Sequence, residues 1–194
     1  HGSNASLQTW EPWVERLQSK YRIITLDQIG HGLTGPNPSE DYSPAASVSV
    51  LDRAFAKLGV THCSLAGNSM GGAVAWNYAL AHPEKVDALI LIDAAGAPVA
   101  MPGQLPLGFR IARMPVIRRL AEGITPRTLI EKTVRQTIYK QSVIDDRMID
   151  RYWELLLYPG NRRATALRFS TKRLAADTKA ISRLHMPVLV MWGR

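Results

Sequence analysis

The segment Gly67-Asn68-Ser69-Met70-Gly71-Gly72 constrains the fold of this chain more than any other feature. An apolar run over 62–66 precedes it and predicts a buried strand, and residues 70–81 after it predict a helix of mostly small residues. A strand that turns directly into a helix around Gly-x-Ser-x-Gly presents the serine hydroxyl at a sharp turn. The flanking glycines leave room for that turn. The pattern therefore predicts that Ser69 is a nucleophile at the amino end of a helix.

Two other roles fit a glycine-rich turn between a strand and a helix. The turn could serve packing alone, or it could bind a phosphate at the helix N-terminus. The phosphate role is disfavoured because no lysine follows these glycines, as one does in nucleotide-binding loops. The strand on one side and the small-residue helix on the other favour the nucleophile.

The first four residues, His1-Gly2-Ser3-Asn4, form the second motif. Acyl transfer needs two backbone N–H donors directed at the oxyanion of the intermediate. One donor belongs to the residue after the nucleophile, here Met70, and the other to a loop that often begins with His-Gly. We expect Ser3 to be this second donor, with Asn4 next to it.

Strand and helix patterns alternate over residues 1–97. Because the strand runs are apolar throughout, they favour a parallel sheet with helices on both faces. The predicted strands cover residues 21–26, 62–66 and 86–92. The predicted helices cover residues 11–19, 43–58 and 70–81.

From Pro98 the pattern changes. Residues 98–108 hold three prolines and two glycines, and Arg- and Leu-rich helical patterns follow over 109–122, 126–139, 145–157 and 162–174. A run over 188–192 then predicts another buried strand. These patterns predict a core over 1–97, an inserted helical cap over 98–175 and a continuation of the core over 176–194.

The positive charge of the chain belongs to the predicted cap. Residues 98–175 carry 15 Lys and Arg against 6 Asp and Glu, whereas the remaining residues carry 9 and 10. Such charge could attract anionic substrates, bring the protein to an anionic lipid surface, or simply be solvated, and solvated helix faces are favoured. We expect no nucleic-acid partner. No apolar run reaches the roughly 18 residues of a membrane helix, so we expect no membrane-spanning segment.

Together these motifs resemble the cap-containing α/β-hydrolase family, near bacterial esterases and lipases and the meta-cleavage-product hydrolases. The resemblance implies a mostly parallel sheet with helices on both faces and an inserted helical cap. Dehalogenases and epoxide hydrolases of this fold carry Asp at the nucleophile position, so Ser69 speaks against both. The stretches that carry the resemblance are His1–Trp10, Asp27–Thr34, Gly67–Gly72, Ala81–Glu84, Leu91–Gly96 and Pro187–Gly193.

The resemblance implies hydrolysis of a small carboxylic ester through an acyl-enzyme, without a metal or an organic cofactor. Asn4, Asn68, Arg151 and Trp153 are the expected substrate-binding residues. Arg151 stands where meta-cleavage-product hydrolases carry a substrate-binding arginine, which keeps hydrolysis of a C–C bond open as a second activity. Non-catalytic binding of a small molecule on the same fold is a third possibility.

The resemblance also implies that the other triad residues lie outside this sequence. In the family the acid follows a strand that ends in Trp-Gly, here Trp192-Gly193, and the histidine follows one strand later. We therefore expect a fragment that lacks its first strands and its last strand and helix, and that is inactive alone. Asp93 is an alternative acid and His31 an alternative base. The compartment and the oligomeric state stay open, with the cytoplasm slightly favoured.

Overall fold

The computed structural model describes residues 1–96, 110, 114, 123–170 and 178–193. The chain divides into two units. The first unit comprises residues 1–28, 43–99 and 173–194, and the second comprises residues 29–42 and 100–172. The described helices, in chain order, are α1 (Glu11–Leu17), α2 (Pro44–Lys57), α3 (Met70–Ala81), α4 (Arg127–Thr137), α5 (Asp146–Leu157), α6 (Asn161–Ser170) and α7 (Thr178–Ile181).

A parallel three-stranded sheet forms the centre of the first unit. Its strands are β1 (Cys63–Asn68), β2 (Val86–Ile92) and β3 (Val188–Met191), and their order in the sheet is β1-β2-β3. Asn68 pairs with Ile92, and Ile92 pairs with Met191. All three strands therefore end at the same edge of the sheet, which we call the carboxyl edge.

Helices α2 and α3 begin as their sequences predict. The Oγ atom of Ser43 accepts a hydrogen bond from the Ala46 N–H at 3.1 Å, and Pro44 occupies the first position of α2. The serine satisfies one of the N–H groups that the first turn leaves without a partner, and proline has no such group to satisfy. Helix α3 starts directly after Ser69 and ends before Pro83.

Buried side chains of α3 and the sheet form the core of the first unit. Tyr78 on α3 and Leu89 on β2 are both 0% exposed. Burying a leucine side chain contributes roughly 2 kcal/mol, so each such residue stabilises this unit appreciably. The other buried members of this cluster are Phe55, Ala75, Trp76, Ala79 and Val86.

The predicted strand over 21–26 is not formed. Residues 21–27 make no strand hydrogen bonds with any described residue, although Leu26 packs against the core cluster. An apolar, β-branched run predicts a strand from its own composition, but a strand exists only where a neighbour accepts and donates its backbone hydrogen bonds. Among the described strands, β1 pairs with β2 alone.

The prediction that residues 188–192 form a buried strand is half right. Residues 188–191 form β3, but its side chains are exposed, Leu189 at 54% and Val190 at 60%. Strand pairing satisfies the backbone, whereas burial of the side chains needs a layer of helices on each face. The apolar composition of the strand predicts burial, but burial depends on helices packed on both faces of the sheet.

The second unit contains α4, α5 and α6. Helices α4 and α5 share a small core of Ile130, Val134, Ile144 and Ile149. Arg127 at the start of α4 binds two carboxylates of α5, with Nη2 at 2.7 Å from Asp146 Oδ1 and Nε at 2.5 Å from Asp150 Oδ1. Most of the predicted helix over 109–122 lies outside the described residues, as does the end of the helix predicted over 162–174.

Residues 29–42 form a loop that α6 holds by hydrogen bonds. Arg168 Nη1 donates to the Gly30 carbonyl at 3.0 Å, and Asn161 Nδ2 donates to the Gly32 carbonyl at 2.9 Å. Arg163 adds a two-pronged contact with the Glu40 carboxylate, at 2.5 and 3.0 Å. This loop, which the sequence pattern assigns to the core, therefore groups with the helical residues. None of the helices in the described ranges has the length and apolarity that crossing a bilayer requires.

One polar cluster of the first unit gives a testable dependence on pH. Lys85 Nζ and the Tyr78 hydroxyl both donate to Asp52 Oδ1, at 2.6 and 3.0 Å, and these hydrogen bonds lower the pKa of the Asp52 carboxyl. A carboxyl whose pKa is lower in the folded state stabilises the fold above the ordinary Asp pKa of about 4. That stabilisation disappears as the pH falls through the lowered pKa.

We therefore expect Asp52→Asn to reduce the free energy of unfolding at pH 7 and to matter progressively less below about pH 4. Asparagine keeps the acceptor for Tyr78 and removes only the charge. The measurement is urea unfolding of both proteins from pH 7 to pH 3. A difference that stays constant over that range would contradict this role of the carboxylate.

Candidate active site

Ser69 occupies the turn between β1 and α3 in a conformation that side chains rarely adopt. Its φ angle is 51° and its ψ angle is −116°. Such a backbone costs about 1–3 kcal/mol and persists only where its surroundings enforce it. Here the Ser69 N–H donates to the Ile92 carbonyl at 2.9 Å, and the Ala95 N–H donates to the Ser69 carbonyl at 2.8 Å. The end of β2 and the segment after it thus fix both the N–H and the carbonyl of the serine.

The glycines around Ser69 are required by close backbone contacts. A Cβ atom on Gly67 would overlap the Gly71 carbonyl, and one on Gly72 would lie 2.5 Å from the Ala94 Cβ. Real Cβ atoms do not approach other atoms this closely, so any larger residue would force the turn apart. The turn therefore forms only if these positions are glycine, which is why their spacing predicts it.

The loop formed by residues 1–4 lies against Ser69. A Cβ atom built on Gly2 would be 3.4 Å from Ser69 Cβ and 3.9 Å from Ser69 Oγ. Ser3 Oγ donates to the sulfur of Met70 at 3.4 Å. The structure therefore brings together the two segments that the sequence predicts to supply oxyanion donors. Asn4, which follows, has a φ angle of 60°.

Hydrogen bonds from Gln28 and Asp27 hold this loop in place. The buried His1 ring accepts the Gln28 N–H at Nε2, 3.0 Å away, so its proton sits on Nδ1 and donates to the Gly2 carbonyl at 2.9 Å. Gln28 Nε2 also donates to the His1 carbonyl at 2.6 Å. Asp27 Oδ1 accepts the Leu7 N–H at 2.7 Å. Sequence reasoning missed Gln28, because a single glutamine after a strand-like run carries no pattern.

The backbone N–H groups of Ser3 and Met70 are available to a ligand. Met70 is the first residue of α3, and the first N–H groups of a helix have no acceptor within it. Among the described residues, no loop or cap hydrogen bond uses the N–H of Ser3 or of Met70. The positive end of the α3 dipole lies at the same point and favours negative charge there. A helix N-terminus with such N–H groups is a favourable place for an anion.

Two further predicted site residues make structural contacts at the carboxyl edge. Asn68 Nδ2 donates to the Ile92 carbonyl at 3.1 Å, which ties the end of β1 to the end of β2. Asp93 Oδ1 accepts the Gly193 N–H at 2.8 Å, just beyond the end of β3. Each polar group therefore has a backbone partner at the carboxyl edge.

Arg151 and Trp153 belong to the second unit, on α5. Trp153 Nε1 donates to the Thr125 carbonyl at 2.8 Å, and its ring packs against the small core of that unit. Residues two positions apart on a helix do not face each other. The structure therefore places these two predicted substrate-binding side chains on different sides of α5.

Most histidines of the first unit lie far from Ser69. His62 precedes β1 and His185 precedes β3, at the opposite edge of the parallel sheet. His82 follows the last residue of α3, a helix about 18 Å long that begins at the serine turn. His1 is close, but both of its ring nitrogens are engaged with backbone groups. In the described ranges, no group of three or more His, Cys, Asp or Glu side chains is arranged to hold a metal ion.

The chain is similar along its whole length to proteins of one fold. A family model described as alpha/beta hydrolase fold matches residues 1–194. A 2-hydroxymuconate semialdehyde hydrolase of Pseudomonas sp. (strain CF600) is 25% identical over 209 residues, which covers 100% of this chain and 68% of that protein. A Bacillus subtilis (strain 168) protein, provisionally named as a 2-succinyl-6-hydroxy-2,4-cyclohexadiene-1-carboxylate synthase, is 35% identical over 125 residues, 64% of this chain and 43% of that protein.

Solved structures give the same result for the backbone. A meta-cleavage product hydrolase from Pseudomonas fluorescens matches with a TM-score of 0.79 and 23% identity, covering 100% of this chain and 69% of the other. At that level of identity the likeness concerns the fold alone. The chain spans only 33% to 43% of the length of several curated relatives.

The contact at Gly67 can be tested by substitution. We expect Gly67→Ala to reduce the free energy of unfolding by about 3 kcal/mol or more, because the added methyl group overlaps backbone atoms that cannot move independently. Gly59→Ala is the matched control, since nothing lies within 4 Å of its Cβ position and only its φ of 64° opposes alanine. That control should cost about 1 kcal/mol. Equal losses in urea unfolding would show that the overlap is relieved.

Proposed function

The chain belongs to the alpha/beta hydrolase fold family, and from that premise we propose that the intact protein is a serine hydrolase of small carboxylic esters. The observation that carries the proposal is the position of the His1–Asn4 loop against Ser69. In it, Gly2 lies against Ser69 and Ser3 Oγ contacts the Met70 sulfur, which supports the N–H groups of Ser3 and Met70 as the two oxyanion donors. Removing one such donor from a hydrolase typically costs about 3–4 kcal/mol of transition-state stabilisation.

The proposed reaction runs through an acyl-enzyme. Ser69 Oγ bonds to the ester carbonyl carbon, its proton passes to a histidine base, and the carbonyl oxygen becomes an oxyanion held by the two N–H groups. Collapse of this intermediate breaks the bond to the alcohol, which leaves with the proton from the base. Water then attacks the acyl carbonyl while the base takes its proton. Collapse of the second intermediate breaks the bond to Ser69 Oγ, which takes the proton back from the base, and the acid is released.

We propose that the base comes from a part of the intact protein outside residues 1–194. This is supported by the positions of His62, His82 and His185, which lie away from the carboxyl edge, and by the engaged ring of His1. A serine, a base and an oxyanion site suffice for ester hydrolysis, so we propose no role for a metal ion or an organic cofactor.

Hydrolysis of a C–C bond in a meta-cleavage product is the second candidate. It is favoured by the Pseudomonas 2-hydroxymuconate semialdehyde hydrolase, which matches the whole of this chain. Arg151 on α5 would bind the carboxylate of such a substrate, because an arginine guanidinium pairs with a carboxylate through two hydrogen bonds. Attack by Ser69 and stabilisation of the oxyanion would proceed as for an ester.

We expect Ser69→Ala to lower kcat for p-nitrophenyl butyrate by about 10⁴-fold or more in the intact protein. Ser64→Ala, which removes an exposed hydroxyl from β1, is the matched control and should leave kcat unchanged. Turnover that survives in Ser69→Ala would rule out Ser69 as the nucleophile.

Arg151→Ala separates the two candidate activities. If esters are the substrate, the variant should change kcat/KM for p-nitrophenyl butyrate by less than about threefold, because a neutral ester offers no carboxylate to the guanidinium. Arg147→Ala, an exposed arginine one turn earlier on α5, is the control for a general effect of charge. The C–C proposal would replace the ester proposal if the native protein turned over a meta-cleavage dienoate faster than p-nitrophenyl butyrate and if Arg151→Ala, but not Arg147→Ala, abolished that turnover. Saturable binding of either compound without turnover would favour a binding protein.

A further inference from the structure

The segment Ile92–Gly96, which begins at the last residue of β2, is bound to the serine turn on one side. The Ile92 carbonyl accepts hydrogen bonds from the Ser69 N–H at 2.9 Å and from Asn68 Nδ2 at 3.1 Å. The Ala95 N–H donates to the Ser69 carbonyl, and Trp76 Nε1 on α3 donates to the Ala95 carbonyl at 3.1 Å. This side of the segment therefore moves only if the turn that carries Ser69 moves with it.

The other side of the segment is bound to the end of β3 through Asp93. The Asp93 N–H donates to the Met191 carbonyl at 2.9 Å, and Asp93 Oδ1 accepts the Gly193 N–H at 2.8 Å. Asp93 has a φ angle of 46°, which aspartate and asparagine tolerate better than most residues. One residue thus links β2 to β3 by a backbone hydrogen bond and a side-chain hydrogen bond.

We propose that Asp93 is a positioning residue of the active site, an inference that rests on the proposed function. Its carboxylate fixes the backbone that leaves β3 at Gly193 relative to the turn that carries Ser69. In hydrolases with this strand-turn-helix serine, the acid and the histidine follow the serine along the chain. The described strands that follow Ser69 are β2 and β3, and both end at the carboxyl edge beside it. Asp93 therefore fixes the residues at the end of β3 relative to the serine turn.

This role differs from that of a triad acid. A triad acid accepts the N–H of the catalytic histidine, whereas Asp93 Oδ1 accepts a backbone N–H. The two roles respond differently to asparagine. An acid changed to asparagine stabilises the wrong histidine tautomer and lowers kcat by about 10⁴-fold. An acceptor of a backbone N–H can be replaced by the amide oxygen of asparagine.

Three variants of the intact protein test the inference. Asp93→Asn keeps the acceptor and tolerates the positive φ, Asp93→Gly keeps the backbone freedom and removes the acceptor, and Asp93→Ala removes both. Two readouts are needed: kcat and KM for p-nitrophenyl butyrate as a function of pH, and hydrogen exchange of the Gly193 amide. The exchange measurement needs no turnover, so it reports the contact even in an inactive protein.

We expect kcat and the protection of the Gly193 amide to depend on whether residue 93 has an acceptor for that amide. Asp93→Gly and Asp93→Ala should lose protection of the Gly193 amide and lower kcat by about 10- to 100-fold, since displacing a catalytic group by about 1 Å costs this much. Asp93→Asn should keep the protection, stay within about threefold of native kcat, and keep the native pH profile. KM should change by less than about threefold in all three, because the proposed role concerns the reacting groups.

Each other pattern overturns the inference. A loss of about 10⁴-fold in Asp93→Asn would make Asp93 the acid itself, and native activity in Asp93→Gly would show that only the backbone angle matters. Unchanged protection of Gly193 in Asp93→Ala would show that the contact does not hold the end of β3. If the native protein shows no Ser69-dependent turnover, the proposed function fails and the inference fails with it, whereas the three patterns above leave the proposed function intact.

Discussion

The hydrogen bonds between the serine turn and the end of β2 are the constraint on which the site depends. Ser69 donates its N–H to the Ile92 carbonyl and accepts the Ala95 N–H at its own carbonyl, so the residue cannot relax to an ordinary φ without breaking hydrogen bonds with the end of β2 and the segment after it. That pair of bonds accounts for the glycine at position 72, where a Cβ atom would meet Ala94 just past β2, whereas a Cβ atom on Gly67 would overlap the Gly71 carbonyl inside the turn. It also explains how a strained residue persists, because a parallel strand already fixed in the sheet supplies the restraint.

The sequence predicts the fold through patterns that are local. The confirmed α/β-hydrolase fold follows from apolar strand runs, a small-residue helix and one serine between glycines, and each of these signals lies within about twenty residues. The N-cap at Ser43 and the stop before Pro83 were equally predictable, because capping chemistry acts within one turn. The position of the 1–4 loop against Ser69 was predictable only from the His-Gly motif and its expected role, since Ser3 and Met70 lie 67 positions apart.

What the sequence does not predict depends on neighbours. The run over 21–26 has the composition of a strand, but a strand needs a partner and none is described beside it. The run that forms β3 has the composition of a buried strand, but burial is a property of the layers around it. Gln28 donates its backbone N–H to the His1 ring and its side-chain amide to the His1 carbonyl. A single glutamine forms no sequence pattern from which these contacts could be predicted. The assignment of residues 29–42 to the helical unit depends in the same way on Arg168 and Asn161.

The exposure of β3 has a consequence for handling residues 1–194 on their own. Val188, Leu189, Val190 and Met191 form an uncharged, β-prone segment at the edge of the described sheet. Such an edge is a template for another strand, and short segments of this composition are the usual seeds of cross-β aggregation. Natural proteins guard such edges with charged gatekeeper residues, and none of the four residues of β3 is charged. A lysine in place of Val190, the most exposed of the four, would supply a gatekeeper at the point where self-association is expected to begin.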